Sequence, residues 1–225
     1  MFKDAKTRQA IAYSINRDLI VKQLLKGEGE IIDGLLTSIH PYYKEEASYA
    51  YDPEKAKQLL EEAGWDFNQV ITFNVPVGNK VREQAADIMT ENMKAVGLKV
   101  QVQKYDFPTL IQKALSHDFD LTMFTNTFSL DPGVTFQILD STNAYNMAQY
   151  SDAEMDALIA KGAAEADPEK RRVIYDEIQD QFHEELPMLT IYSEKRLQAV
   201  SKNVLVGKPI DIGPLHNVNE WDLTE

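Results

Sequence analysis

The chain has 225 residues, 44% of them hydrophobic and 26% charged, and it contains no cysteine. This length and composition indicate a folded globular protein of one large or two small domains, stable without disulfides, and they identify no cellular compartment. With 23 basic against 36 acidic side chains the net charge is −13 at pH 7, which makes nucleic acids and anionic lipids poor partners.

The first 65 residues predict two helical regions separated by an irregular segment. Apolar side chains at helical spacing over residues 11–20 indicate one bent helix or a helix pair. Residues 28–50 show no period, and their tyrosines favour packing of a connection over a stacking surface for a peptide or sugar. Asp52 and Pro53 predict the start of a helix, because Asp accepts the free N–H groups of a first turn and Pro suits its first position. The tyrosines in and after this segment are Tyr42, Tyr43, Tyr49 and Tyr51.

The middle of the chain alternates the periods of strands and helices. Apolar and polar residues alternate in the predicted strands, whereas apolar residues lie three and four positions apart in the first predicted helix. A glycine ends that helix, and an Asp can cap the start of the second. This order, β-α-β-α-β, predicts a parallel sheet with right-handed crossovers. The segments are 71–77, 81–96, 98–102, 106–115 and 119–123.

Polar residues follow the strands of this predicted sheet. Ligands of open α/β sheets bind beyond the carboxyl ends of the strands, so we expect a ligand site there. An Asn amide can donate to and accept from a ligand amide, and a Thr hydroxyl can do the same. We expect Phe128 to lie in the core rather than in the wall of the site, and we expect Asp131 to act chiefly as a helix cap. The candidate ligand-binding residues are Asn79, Thr125, Asn126, Thr127, Phe128 and Asp131.

The C-terminal third predicts three further helix starts and two strands. Asp131-Pro132 and Asp167-Pro168 repeat the Asp-Pro start, and Ser151 to Glu154 has the spacing of a capping box. We expect strands at 188–192 and 197–200, followed by an extended, irregular segment from about residue 206.

The sequence contains no recognisable catalytic or metal-binding motif. Its four histidines lack zinc-ligand spacing, and neither a phosphate-binding loop nor a nucleophile elbow occurs. We therefore predict a protein that is not an enzyme, with no cofactor and no metal. Two alternatives stay open: a small α/β hydrolase that uses Asp106 or Asp131 with a water molecule, and an intracellular interaction domain.

Six short sequence segments, here called phrases, occur between residue 2 and about residue 200 in the same order and with about the same spacing as in a known family. The first is Phe2-Lys3-Asp4-Ala5-Lys6-Thr7-Arg8-Gln9-Ala10-Ile11-Ala12-Tyr13-Ser14-Ile15-Asn16-Arg17, and the others lie at 51–65, 117–121, 130–132, 150–156 and 171–187. In these phrases the chain resembles the extracellular solute-binding proteins of family 5, the oligopeptide, dipeptide and nickel receptors of ABC importers.

The resemblance implies one α/β lobe, of the periplasmic-binding-protein type, from a two-lobed clamshell. Residues 1–205 would form the C-terminal lobe, and residues 206–225 would be a tail that returns toward a first lobe. By this resemblance, the first lobe and the leader would lie outside this sequence. The implied ligand is an oligopeptide or a similar small polar solute, with an oligosaccharide or a nickel complex as alternatives. A monomer would deliver it to the membrane subunits of an ABC importer, from the outer face of the cell membrane as a lipoprotein or from the periplasm.

One segment departs from the pattern of the peptide-binding relatives. Their loop between the Phe-Asp and Asp-Pro phrases usually holds a Trp and an Asp that pairs with the free amine of the peptide. Residues 121–130 contain neither a Trp nor an acid. A loop centred on Asn126 and Thr127 instead suits a ligand held by hydrogen bonds.

Overall fold

The computed structural model describes residues 1–127, 129–195, 197, 199–206 and 218–223. None of the helices in this part combines the length and apolar character that crossing a bilayer requires. The helices are α1 (Ala5–Ser14), α2 (Arg17–Leu19, continued by a π-turn at Ile20–Leu24), α3 (Pro53–Glu62), α4 (Lys80–Ala95), α5 (Phe107–Leu115), α6 (Pro132–Phe136), α7 (Ala153–Ala164) and α8 (Pro168–Glu185). The strands are β1 (Gly29–Glu30), β2 (Val70–Pro76), β3 (Lys99–Tyr105), β4 (Leu121–Thr122), β5 (Ser193–Glu194), β6 (Val204–Leu205) and β7 (Asp222–Leu223).

The predicted β-α-β-α-β unit is confirmed as a three-stranded parallel sheet in the order β3-β2-β4. The third strand is shorter than the alternation over 119–123 suggested, because pairing with β2 covers only Leu121 and Thr122. Neighbouring groups extend the attachment: the Thr72 N–H donates to the Asp120 carboxylate at 2.8 Å, and the Met123 N–H donates to the Asn74 carbonyl at 3.1 Å.

The Asp-Pro signals mark helix starts as predicted. Asp52, Asp131 and Asp167 each accept a hydrogen bond from the first turn of the helix that follows. The capping box at Ser151 was wrong by one residue. Asp152 is the cap of α7, because its carboxylate accepts from the N–H groups of both Glu154 and Met155.

The two strands predicted near the C-terminal end were also wrong. Residues 188–192 form no strand, nor do the described residues within 197–200. In the first of these segments, hydrogen bonds from side chains to backbone carbonyls take the place of strand pairing. The Thr190 carbonyl accepts from the Arg17 guanidinium at 3.2 Å, and the Thr190 hydroxyl donates to the Gly34 carbonyl at 2.7 Å.

The chain divides into two compact units, Met1–Ser193 and Glu194–Glu225. The larger unit holds two main apolar clusters. One packs α1 and α3 with the sheet and α4, and the other packs α6, α7 and α8 with Leu35 and Leu36. Three of the four tyrosines pack in the interior of this unit, as favoured from the sequence: Tyr42 and Tyr43 are partly buried, and Tyr49 is buried. The end of the C-terminal lobe at residue 205 stays a prediction.

A buried arginine ties together segments that are distant in sequence. The Arg17 side chain is 2% exposed and forms an ion pair with Asp33, whose side chain is 10% exposed. Its guanidinium also donates to backbone carbonyls at 3.1–3.2 Å. These carbonyls belong to Ile32, Tyr49 and Thr190. Because a buried charge is costly unless it is paired and hydrogen-bonded, these acceptors are what allow Arg17 to lie in the interior.

We expect Arg17→Met to lower the free energy of unfolding by about 3–5 kcal/mol, since it leaves the Asp33 carboxylate buried without its counter-charge. Urea denaturation followed by circular dichroism measures the change. The matched control is Lys6→Met, which removes an ion pair with Glu62 whose side chains are 54% and 43% exposed. That variant should cost less than about 1 kcal/mol. Equal losses in the two variants would contradict the prediction.

Candidate ligand-binding site

The strand order defines a crevice at one edge of the sheet. From β2 the chain passes through α4 to β3 on one side, and it then returns through α5 to β4 on the other side. Right-handed crossovers in opposite directions place the two helices on opposite faces, so a crevice opens between the carboxyl ends of β2 and β4. This is the topological switch point at which doubly wound sheets bind ligands.

The turn from β2 into α4 forms the first wall of this crevice. Gly78 has φ +93°, a conformation that favours glycine. The Asn79 side chain caps α4 by accepting the Arg82 N–H at 3.1 Å, and the Glu83 carboxylate accepts the Gly78 N–H at 3.1 Å. Asn79 thus lies at the expected edge, where it holds the helix start with its amide oxygen and keeps its amide N–H groups for other partners.

The loop after β4 forms the second wall. Thr125, Asn126 and Thr127 are exposed. Within the described part of the chain, the residues from Phe124 to Thr127 form no hydrogen bond, neither through the backbone nor through side chains. Carrying the β2–β4 register forward would bring Val77 alongside Thr125, so Asn79 and this loop belong to the same edge. A row of free amide and hydroxyl groups can bind a polar ligand.

Asp131 lies at the far end of the same loop and is committed to the fold. Its carboxylate accepts the Gly133 N–H at 2.8 Å and pairs with Arg171 at 2.7 Å. Arg171 in turn donates to the Gly162 carbonyl of α7 at 3.1 Å. Burial alone raises the pKa of Asp131, but the hydrogen bonds from Gly133 and Arg171 outweigh it, and the pKa falls below its usual value. The carboxylate therefore anchors the loop to α8.

The acids nearest to the sheet edge are likewise engaged within the chain. Two hydrogen bonds from Thr109, at 2.9 and 3.0 Å, lower the pKa of Asp106, which caps α5. Glu83 holds Gly78 and pairs with Lys104 at 3.5 Å. Phe128, the remaining candidate, lies outside the described residues.

Sequence reasoning missed one residue at this edge, Arg82. It lies in the first turn of α4, three residues before Ala85 and seven before Met89, which are both buried. That spacing puts a charge on the apolar stripe of the helix. The helical periodicity that located α4 could have revealed it, because a charged residue continues the buried face at the end next to the crevice.

Comparison with known proteins agrees with this architecture. The family described as bacterial extracellular solute-binding proteins, family 5 Middle, matches residues 1–147. The oligopeptide-binding protein AppA of Bacillus subtilis is 28% identical over all of this chain and 45% of its own length. The glutathione-binding protein GsiB of Pectobacterium atrosepticum is 25% identical, with the whole chain aligned to 46% of that protein.

Solved structures extend the agreement to three dimensions. AppA of Bacillus subtilis, solved in complex with a nonapeptide, superposes with a TM-score of 0.85 and 26% identity over all of this chain and 48% of that structure. The dipeptide-binding protein of Pseudoalteromonas sp. SM9913, solved with Met-Leu, gives a TM-score of 0.80 at 25% identity over 90% of this chain and 42% of that structure.

The chain thus spans about half the length of the curated relatives it matches. The resemblance predicted from the six phrases is confirmed, since the family match covers well over half of the residues and includes both walls of the crevice. This chain belongs to the bacterial extracellular solute-binding proteins of family 5.

Proposed function

We propose that this chain is one lobe of a receptor that binds peptides outside the bacterial cell and delivers them to the membrane subunits of an ABC importer. The observation that carries the proposal is the superposition of the whole chain on AppA, a protein solved with a bound nonapeptide. The receptor would act in the periplasm or, as a lipoprotein, on the outer face of the membrane.

The chemistry of the crevice supports a peptide ligand. A peptide backbone presents amide donors and acceptors at regular spacing whatever its sequence. The free groups of residues 124–127 and the remaining amide N–H groups of Asn79 can bind such a backbone without an ion pair. In the two-lobed receptor the ligand would be enclosed when the lobes close about a hinge, so this chain would supply one side of the site.

A hydrolase is a weaker hypothesis because its candidate carboxylates are already engaged. A general acid or base works best when its pKa lies near the operating pH. The pKa values of Asp106 and Asp131 are both shifted the opposite way, by hydrogen bonds from Thr109 to Asp106 and from Gly133 and Arg171 to Asp131. We therefore propose that the chain binds its ligand without turning it over.

Mass spectrometry of ligands that co-purify with the complete receptor tests the proposed function. We expect a mixture of short peptides, because backbone hydrogen bonds select for the amide chain and not for particular side chains. A non-peptide solute, such as an oligosaccharide or a nickel complex, would contradict the peptide proposal and leave the family assignment intact.

We expect Asn126→Ala in the complete receptor to weaken peptide binding by about 1–3 kcal/mol, the cost of leaving a buried ligand group without its partner. Calorimetric titration measures the change, and the melting temperature of the ligand-free protein should stay the same, since Asn126 is exposed and forms no hydrogen bond within the described residues. Asn68→Ala is the matched control, because Asn68 is exposed just before β2 at the opposite edge of the sheet. Unchanged affinity in Asn126→Ala would remove Asn126 from the site.

The stabilisation provided by Asp131 should depend on pH. Its folded-state pKa is lowered, so its contribution is complete above the unfolded-state pKa of about 4 and disappears as the pH falls through the folded-state value. The wild-type protein should melt above Asp131→Asn at pH 7, by the equivalent of at most about 1 kcal/mol for this partly exposed pair, and the difference should vanish once the pH has fallen below the folded-state pKa. Melting curves from pH 7 downward measure it, and a pH-independent difference would contradict the role of the ion pair with Arg171.

A further inference from the structure

His40 connects the irregular segment before α3 to the far end of the loop after β4. Its Nε2 atom lies 3.0 Å from the carbonyl oxygen of Leu130, the residue that precedes Asp131, where the loop is anchored to α8. On the other side of the ring, the Tyr42 N–H donates to Nδ1 at 3.1 Å. The imidazole is therefore held between two backbone groups that are distant in sequence.

These two hydrogen bonds, here called the clasp, determine which form of the imidazole fits. Nδ1 accepts the Tyr42 N–H, so it carries no proton, and Nε2 is then the nitrogen whose proton is donated to the Leu130 carbonyl. Only a neutral imidazole combines one acceptor with one donor, because both nitrogens of the imidazolium are donors. The clasp therefore requires His40 to be neutral.

The turn that carries His40 is itself fixed to α8. The Tyr43 N–H closes the turn by donating to the His40 carbonyl at 2.9 Å. The side chain of Gln179 in α8, which is only 4% exposed, donates to the Tyr42 carbonyl at 3.0 Å and accepts the Lys44 N–H at 3.2 Å. Because the turn is held in this way, a change in the ring is passed on to the loop after β4.

The charged groups around the ring leave it neutral near pH 7. Burial lowers the pKa of His40 below its ordinary value, and this effect outweighs the neighbouring backbone carbonyls and the charge of Asp131, which favour the imidazolium. Arg171 neutralises part of the charge of Asp131. The guanidinium groups of Arg171 and Arg172 also lie 5.7 and 5.8 Å from the centroid of the Tyr42 ring, so positive charge already stands beside the turn.

We propose that His40 is a positioning residue for ligand binding, whose neutral imidazole holds the end of the loop after β4 in place. The proposal rests on the proposed function and adds a regulation of that site by pH. A proton taken up from solvent at Nδ1 turns the acceptor into a donor that faces the Tyr42 N–H. The ring must then leave either Tyr42 or Leu130, and in both cases the loop end loses its fixed distance from the turn.

The direction of the pH effect follows from the same geometry. A free imidazole has a pKa of about 6.5, and the pKa of the clasped ring is lower. The clasp is therefore complete above about pH 6.5 and is lost as the pH falls through the folded-state pKa of His40. The ion pair of Asp131 with Arg171 persists in this range, because the pKa of Asp131 is lowered from about 4. The loop then keeps one of its two attachments at this end.

Nuclear magnetic resonance of the complete receptor tests the clasp without a ligand. At about pH 8, above the ordinary histidine pKa, the ¹⁵N shifts of the His40 ring should show the proton on Nε2. On acidification the amide resonances of Leu130 and Asp131 should shift with the same midpoint as the ring, below about pH 6.5, and His40→Gln should abolish these shifts. A proton on Nδ1 at the higher pH, or amides that do not follow the ring, would overturn the proposal.

Peptide affinity between about pH 8 and about pH 5, the range in which histidine titrates, tests the effect on the site. The probes are peptides of two, three, five and nine residues with uncharged side chains. Gln at position 40 retains an N–H that can reach the Leu130 carbonyl but does not titrate, and the ratio of wild-type to His40→Gln affinity cancels the titration of the peptide ends. Across this range the ratio should fall by about two- to tenfold, the usual effect of one hydrogen bond. His40→Phe, which removes both hydrogen bonds and keeps a ring, should bind by a similar factor more weakly than wild type at the higher pH.

His117→Gln is the matched control for the loss of one titrating imidazole. His117 is exposed after α5, and its Nδ1 atom lies 3.3 Å from the Met147 carbonyl oxygen, so its replacement leaves the loop after β4 unchanged. This variant should keep the pH dependence of the wild-type protein. A loss of pH dependence in His117→Gln equal to that in His40→Gln would overturn the proposal.

The remaining outcomes separate this proposal from the proposed function. Peptide binding with a ratio of wild-type to His40→Gln affinity that stays constant over the whole pH range would overturn the role of His40 and leave the peptide function standing. Binding of none of the peptides at any pH would overturn both.

Discussion

The central strand β2 sets the constraint on which the rest of the larger unit depends. Ile71, Phe73 and Val75 are buried on one side, Asn74 is buried on the other, and both edges of the strand are paired. A parallel strand that is buried in this way needs a helix on each face and a neighbour on each side. The chain must therefore leave β2 in one direction and return in the other, and the crevice at its carboxyl end is a consequence of that topology.

Two arginines hold together parts of the larger unit that are distant in sequence. Arg17 is buried among a carboxylate and several carbonyls, and it joins the segment after α8 to the segments beside β1. Arg171 ties α8 to the loop that ends at Asp131. In both cases the chain supplies the counter-charge, because desolvated charges without partners are costly. Arg82 differs from these two, because its buried Nε–H donates to no acceptor among the described residues.

Local signals were the part of the fold that the sequence could predict. Helix starts at Asp-Pro, glycine stops and the two periodicities located α3, α4 and α5 and the order of the three strands, since each depends on a few neighbouring residues. Long-range competition caused the errors. Residues 188–192 have the alternation of a strand, but their polar groups bond to Arg17 and Gly34, which lie more than a hundred residues away. The charge on the buried stripe of α4 was visible in the sequence, whereas its lack of a partner was a property of the folded chain.

The loop between β4 and α6 combines fixed ends with a free centre. Its start is held by the Met123 N–H on the Asn74 carbonyl, and its end by the Asp131 ion pair. Ser129 and Leu130 add contacts near the second anchor, where the Leu130 carbonyl lies 3.0 Å from His40 Nε2. Between the anchors, residues 124–127 keep their polar groups free of other described residues. In the proposed site, anchors of this kind would reduce the conformational entropy that the loop loses when it orders around a ligand, so the ion pair at Asp131 would contribute to binding without touching the ligand.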